Sequence, residues 1–251
     1  MATPEISSEL RSRLEGDGPV VALTGAGVSA ESGLATFRGP GGMWEGRNPM
    51  ELATPGAFGA EPLTVWRFYA WRREQAAAAQ PNPAHRALAA LERRWNDFLL
   101  VTQNVDGLHE RAGSRKVVRL HGSLWTLRCT GCGNEFEDLR ADLGELPPRC
   151  DTCRGMLRPG VVWFGEGLPE GAMREADGAC RTASLVLVAG TSAMVYPAAG
   201  LPLAASDAGA YVVEINPEPT PLSPRVDERL AGPAGEILPA LAAAAGMEVA
   251  S

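Results

Sequence analysis

Four short, nearly continuous apolar runs punctuate the chain: Val20-Val21-Ala22-Leu23, Phe98-Leu99-Leu100-Val101, Leu185-Val186-Leu187-Val188-Ala189 and Ala210-Tyr211-Val212-Val213-Glu214-Ile215. Runs of this length, without polar alternation, are the mark of strands buried on both faces, as a parallel sheet covered by helices requires. Stretches with helical spacing precede the last three, at Ala84 to Trp95, Glu170 to Thr182 and Pro197 to Ala208. Another covers residues 5–16 and stops at Gly16-Asp17-Gly18-Pro19. Strand and helix alternating in this way predict an α/β fold, a Rossmann-like open parallel sheet with helices on both faces. Ligands then belong at the carboxyl ends of the strands.

Two regions break the rhythm. Phe37 to Ala60 is rich in Gly and Pro, lacks a packing period and reads as a long loop, the start of a loop and helical segment over 37–80. Residues 126–158 hold short segments, turn residues and two cysteine pairs, and read as a small inserted domain. The larger domain is then 1–125 together with 159–251.

The cysteines form C-x2-C-x17-C-x2-C from Cys129 and Cys132 to Cys150 and Cys153. Four thiolates in two close pairs make a closed tetrahedral zinc site of the structural type, with no open position for catalysis. Cys180 stands alone in a helical stretch and reads as a buried thiol.

The candidate chemistry sits where apolar runs end. Gly25-Ala26-Gly27-Val28-Ser29-Ala30 follows the first and matches G-x-G-x-x-G/A. It is read either as a pyrophosphate-binding turn or as an ordinary strand-to-helix turn. The acidic residue usual about 20 residues further on is replaced by the FRGPGGMWEG loop. Thr102-Gln103-Asn104-Val105-Asp106 follows the second run, as ligand-binding amides and a carboxylate or as an Asx turn capping the next helix. Gly190-Thr191-Ser192 and Asn216 end the last two and suit ribose and phosphate contacts, or simple turns. Of three histidines, His121 lies beside Gly122 and between the polar cluster and the cysteines, as a general base or a structural residue.

Charge narrows the partners. With Lys+Arg 23 against Asp+Glu 30 the net charge of −7 argues against a nucleic-acid backbone as ligand. There is no apolar stretch of membrane-spanning length, and the first sixteen residues lack the features of a signal peptide. A cytoplasmic protein is expected, with no membrane partner. Lys116 is the one lysine, every other cation being arginine.

Taken in order, GAGVSAESGLATFRG, TQNVDGLHERAG, His121-Gly122, the two CxxC pairs, VVWFGE at 161–166, GTSAMVYPAAGLP and EINPEP resemble the sirtuin family of NAD-dependent protein lysine deacylases. The likeness runs from about residue 20 to residue 239. It implies NAD as co-substrate, one structural zinc, and an acyl-lysine segment of a protein bound between a large and a small domain. Gly25, Ala26, Gly27, Ser29, Ala30, Phe37 and Arg38 would line the cofactor loop, and Gln103, Asn104, Val105 and Asp106 would face the nicotinamide ribose and amide. Gly190, Thr191, Ser192, Asn216, Pro217, Glu218 and Ala234 match the adenosine side. Val161, Trp163 and Phe164 would pair with and cover the peptide by strand addition. His121 would be the general base and Asn104 its catalytic companion, the products being nicotinamide and O-acyl-ADP-ribose. Leu34-Ala35 stands where the family often has Ile-Pro.

Trp66-Arg67-Phe68-Tyr69-Ala70-Trp71-Arg72-Arg73 resembles the family branch that removes succinyl and malonyl groups. Tyr69 and Arg72, three apart, share a helical face. A guanidinium holds a carboxylate bidentately and a phenol adds one more donor. The alternative is that Arg72 and Arg73 form a solvated face and Tyr69 is core. Acetyl groups are expected as substrates as well, and a plain lysine deacetylase and an ADP-ribosyltransferase or NAD sensor on this fold are the rival activities. A monomer is expected.

Overall fold

The computed structural model describes residues 5–36 and 48–249. Helices α1 (Ser8–Glu15), α2 (Gly27–Ala30), α3 (Pro55–Ala60), α4 (Pro62–Ala78), α5 (Pro83–Arg94), α6 (Leu108–Arg111), α7 (Glu170–Thr182), α8 (Leu201–Asp207) and α9 (Ala234–Ala244) surround two sheets. The larger holds β1 (Val20–Thr24), β2 (Phe98–Thr102), β3 (Val117–Arg119), β7 (Leu185–Ala189), β8 (Tyr211–Asn216) and β9 (Glu228–Ala231). The smaller holds β4 (Gly122–Cys129), β5 (Glu135–Glu137) and β6 (Leu157–Val161).

The large sheet is parallel throughout, in the order β3-β2-β1-β7-β8-β9. The chain starts at the centre, builds outward to β3, then returns to the other side of β1 with β7. That reversal opens a crevice between the carboxyl ends of β1 and β7, the expected ligand site of a doubly wound sheet.

The unbroken apolar runs follow from two cores. Val20 and Ala22 of β1, with Leu185 and Leu187 of β7, pack under Leu10, Leu88, Leu91 and Leu238 from α1, α5 and α9. Val21 and Leu23, with Val186 and Val188, pack against Ala176 and Cys180 of α7 and Leu201 and Ala205 of α8. Alternate residues of one strand thus feed opposite faces, and neither set can be polar. Cys180 is a core thiol, as expected.

The small sheet is antiparallel and runs from Gly122 to Val161. A third core joins it to α3 and α4 through Phe58, Val65, Trp66 and Tyr69 against Leu124, Leu127, Leu157 and Trp163. The stretch expected as a long loop over Phe37 to Ala60 is in part helical. Thr54 caps α3 by accepting from the Ala57 N–H at 3.0 Å, and Pro55 opens the helix. Gly56 and Gly59 hide the helical period, yet Phe58 anchors the turn on Trp163, ring centroids 5.2 Å apart. The helix expected over Pro197 to Ala208 begins as a 3-10 turn and continues as α8.

Candidate active site

The crevice is made by three glycines in contact. The Gly27 N–H donates to the Gly190 carbonyl at 2.8 Å, and the Gly25 N–H to Ala189 at 3.0 Å. A Cβ on Gly25 would lie 2.8 Å from the Gly190 oxygen, and one on Gly190, where φ is +60°, would collide with the Val28 nitrogen. Close packing of the two strand ends therefore demands these glycines, and the same bare backbone lines a cavity of about 650 Å³.

Polar side chains from β2 and its following turn meet α2 at the floor. Asn104 donates through Nδ2 to the Gly25 carbonyl at 3.1 Å and to Ser29 Oγ at 3.2 Å. Ser29 Oγ donates to Asp106 Oδ2 at 2.9 Å, and Asp106 Oδ1 accepts from the Leu108 N–H. The Asx turn and the inward-facing carboxylate are thus one arrangement, each using its own oxygen. Burial pushes the Asp106 carboxyl above its ordinary range, opposed by those two donors.

Beneath lie two histidines that sequence reasoning gave no role. His109 Nε2 is 3.0 Å from Thr24 Oγ1, which donates to Thr102 Oγ1 at 2.8 Å; that oxygen in turn accepts from the Asn104 N–H. His85 stacks obliquely on His109 at 4.8 Å and reaches Ser29 Oγ at 3.4 Å. Both are held neutral by burial, His85 down to about 4. His85 also closes a capping box with Asn82 at the start of α5, a local pattern in the sequence, but the contacts that bring both histidines to the site join residues 56 and 85 apart.

His121 lines the cleft at the start of β4. Its Nδ1 is 3.1 Å from the Gln103 carbonyl oxygen, which can only accept, so Nδ1 carries the proton and Nε2 keeps a lone pair. Burial lowers its pKa, against the Gln103 contact, so the imidazole is neutral at pH 7 and suited to taking a proton.

The opposite wall comes from the segment after β6 and from α4. Val161, Trp163 and Phe164 line the cleft, with Tyr69 and Arg72 facing them. Tyr69 accepts from Trp163 Nε1 at 3.0 Å, and the Arg72 guanidinium carbon lies 5.5 Å from the Tyr69 ring centre. Arg72 also borders a smaller cavity of about 270 Å³ lined by Ala26, Ser29, Asn104, Val105 and Asp106. Arg73 is not part of a solvated face: it is 1% exposed and bonded to the small sheet.

Ala30, Gln103, Thr191, Ser192, Asn216, Pro217 and Glu218 line the larger cavity as well. Gln103 Nε2 donates to Thr191 Oγ1 at 2.9 Å, and Asn216 Nδ2 donates to the Thr191 carbonyl at 2.8 Å, tying the ends of β2, β7 and β8 together. Ser29 and Asp106 line the smaller cavity, whereas Ala234 opens α9, faces the core and borders neither cavity. Phe37 and Arg38 lie outside the described residues.

Residues 25–197 match the model of the Sir2 family. A protein of Aquifex aeolicus named NAD-dependent protein deacylase is 53% identical over 208 residues, covering 83% of this chain and 87% of its own length. The chain belongs to the Sir2 family. Among Sir2 structures, a Sir2 homologue–NAD complex superposes with a TM-score of 0.91 at 49% identity, over 98% of this chain and 96% of that one. A Sir2 complex with deacetylated p53 peptide and 3′-O-acetyl-ADP-ribose superposes with a TM-score of 0.85 at 34% identity, over 96% and 98%.

The sulfurs of Cys129, Cys132, Cys150 and Cys153 all lie within 4.8 Å of one another. Tetrahedral zinc with Zn–S of about 2.3 Å needs S···S edges of about 3.8 Å. The Cys129–Cys153 and Cys132–Cys150 separations are 3.4 and 3.9 Å. The N–H groups of Gly131 and Cys132 point at Cys129 Sγ, and that of Gly155 at Cys153 Sγ, as thiolate ligands require. The residues fit a structural zinc with no open coordination position. No described helix is long and apolar enough to cross a membrane.

Proposed function

We propose that this Sir2 protein is an NAD-dependent protein lysine deacylase that removes succinyl and malonyl groups, and acetyl groups as well, releasing nicotinamide and O-acyl-ADP-ribose. The observation that carries the reading is a single cleft joining three elements: the glycine crevice, His121 with an available Nε2, and the Tyr69–Arg72 pair. NAD, when bound, supplies an electrophilic ribose carbon and nicotinamide as leaving group.

The chain's own residues then divide the work. Gly25, Ala26 and Gly27 let backbone approach a pyrophosphate, and Ser192, Asn216 and Glu218 lie where the adenosine half extends. Gln103, Asn104 and Asp106 orient the nicotinamide ribose and amide, Asn104 being held by the Gly25 carbonyl and Ser29. His121 Nε2 accepts a proton from the ribose hydroxyl as that oxygen becomes a nucleophile. Val161, Trp163 and Phe164 accept an extended peptide as an added strand. In this reading residues 1–125 and 159–251 bind NAD and 126–158 hold zinc. The enzyme works as a monomer in the cytoplasm on exposed lysine segments.

Arg72 supports the carboxylated acyl group. It is half-buried at the border of both cavities, where low dielectric strengthens a guanidinium–carboxylate pair. The test is turnover of acetyl-, malonyl- and succinyl-lysine forms of one peptide by the native chain and by Arg72→Met. Loss of a charge-assisted pair predicts a fall of roughly 10- to 100-fold in succinyl and malonyl kcat/KM, with a much smaller change for acetyl. Negligible succinyl turnover, or succinyl turnover indifferent to Arg72→Met, contradicts the acyl assignment.

A further inference from the structure

Behind Tyr69 stands a braced assembly on the inner side of the β6 segment. Arg158 holds Glu166 with both terminal nitrogens, at 2.6 and 2.9 Å, and donates to the Val161 carbonyl at 2.9 Å. Glu166 Oε2 also accepts from the Trp163 N–H at 2.8 Å, so one carboxylate ties the guanidinium to the tryptophan backbone. The Arg158 guanidinium carbon lies 3.5 Å from the centre of the Trp163 ring, the spacing of a cation stacked on an indole face. Phe58 packs on Trp163 at 5.2 Å. The ring is thereby fixed from several directions, and its N–H meets Tyr69 OH at 3.0 Å.

The direction of that hydrogen bond has a consequence. Indole and guanidinium nitrogens donate and never accept, so the Tyr69 oxygen is the acceptor toward both Trp163 and Arg72, and its own hydrogen can donate only to a further acceptor. Tyr69 faces the cleft beside Arg72. We infer that Arg158, locked by Glu166 and stacked on Trp163, is a positioning residue for acyl-group selectivity: it fixes the indole whose N–H holds the Tyr69 oxygen in place, so that the phenol hydrogen is presented to an acyl carboxylate beside Arg72. The inference rests on the carboxylated-acyl reading above and adds the residues that hold the phenol in position. An acetyl group has no such carboxylate, so the brace favours one acyl class over another.

The test compares kcat/KM for succinyl- and acetyl-lysine forms of one peptide, at saturating NAD, for the native zinc-loaded chain, Trp163→Phe and Arg158→Lys. Trp163→Phe keeps an aromatic ring under Arg158 while deleting the donor and part of the ring area, a packing loss that falls on both peptides alike. Arg158→Lys keeps a charge for Glu166 and loses the planar stack. The succinyl-to-acetyl ratio falls about tenfold in Trp163→Phe, the worth of one hydrogen bond, and by a smaller factor in Arg158→Lys. Equal losses for the two peptides in both variants overturn the inference, since a groove that merely holds peptide treats both acyl groups alike. A ratio that drops for Arg72→Met and stays at the native value for Trp163→Phe and Arg158→Lys overturns the brace and leaves the carboxylated-acyl reading standing. Absence of succinyl turnover in the native chain overturns both.

Discussion

Arg73, next to the proposed acyl-recognition residue, is expected to carry stability rather than selectivity. Its guanidinium is 1% exposed and reaches from α4 into the small sheet. Nη1 donates to the Leu124 carbonyl, Nη2 to the Asp138 carbonyl at 2.7 Å, and Nε to the Arg140 carbonyl at 3.1 Å. The guanidinium also sits 5.0 Å from the Trp125 ring centre. Arg73→Met keeps the length of the side chain and removes every donor. Asp138 stays paired with Arg140, so the loss falls on three carbonyls. Bonds from a charged donor contribute roughly 1.5 kcal/mol each, and about 1 kcal/mol returns from burying the thioether. The net loss is about 3.5 kcal/mol, or roughly 7–14 °C in Tm for a chain of this size. Urea unfolding of the zinc-loaded protein, followed by tryptophan fluorescence, measures it. Arg72→Met, at a cavity border, is expected to change stability by less than about 1 kcal/mol. A loss under about 1 kcal/mol for Arg73→Met refutes the idea that this arginine pins α4 to the small sheet.

Zinc removal by a strong chelator is expected to release one metal per chain and to abolish the fluorescence signature of the small sheet together with activity. Full activity of the metal-free chain contradicts a structural site. The histidines set an acid limit. His85, His109 and His121 all have folded pKa values below their ordinary value through burial. The unfolded chain therefore binds more protons, and the stability they contribute is complete above about pH 6.5 and lost as pH falls through the folded values, toward about 4 for His85. Denaturant midpoints from pH 7.5 to 4.5 check this, and a midpoint that rises on acidification over that range contradicts it. Acidic loss of kcat/KM is expected below pH 6.5 rather than above it, since His121 must be neutral to accept a proton.

The central strands were legible because each must satisfy two cores. Val20 to Leu23 and Leu185 to Ala189 cannot carry a polar residue on either face. The edges were not: β3 has three residues, and β9 includes Glu228 and Arg229. Helix α9, rich in alanine and interrupted by Pro239, carries little period of its own and takes its place by packing on α5. In the site, residues that follow strands in sequence were visible, since Gly25, Gln103, Gly190 and Asn216 inherit their position from the sheet. The contacts of His85 with Ser29 and of His109 with Thr24, and the Arg158–Glu166 brace, were not, because each joins side chains that folding brings together. Arg72 and Arg73 show the limit most sharply: they are adjacent and identical, and one lines the cleft while the other is buried against a different sheet.

The most direct measurement is nicotinamide release from NAD by the native chain, with and without an acyl-lysine peptide, beside His121→Ala. Release that requires the acylated peptide, yields O-acyl-ADP-ribose in equal amount and loses product formation by at least roughly a hundredfold in His121→Ala is the predicted result. Release at the same rate without peptide, or O-acyl-ADP-ribose formation that survives His121→Ala, would contradict a deacylase built on this cleft.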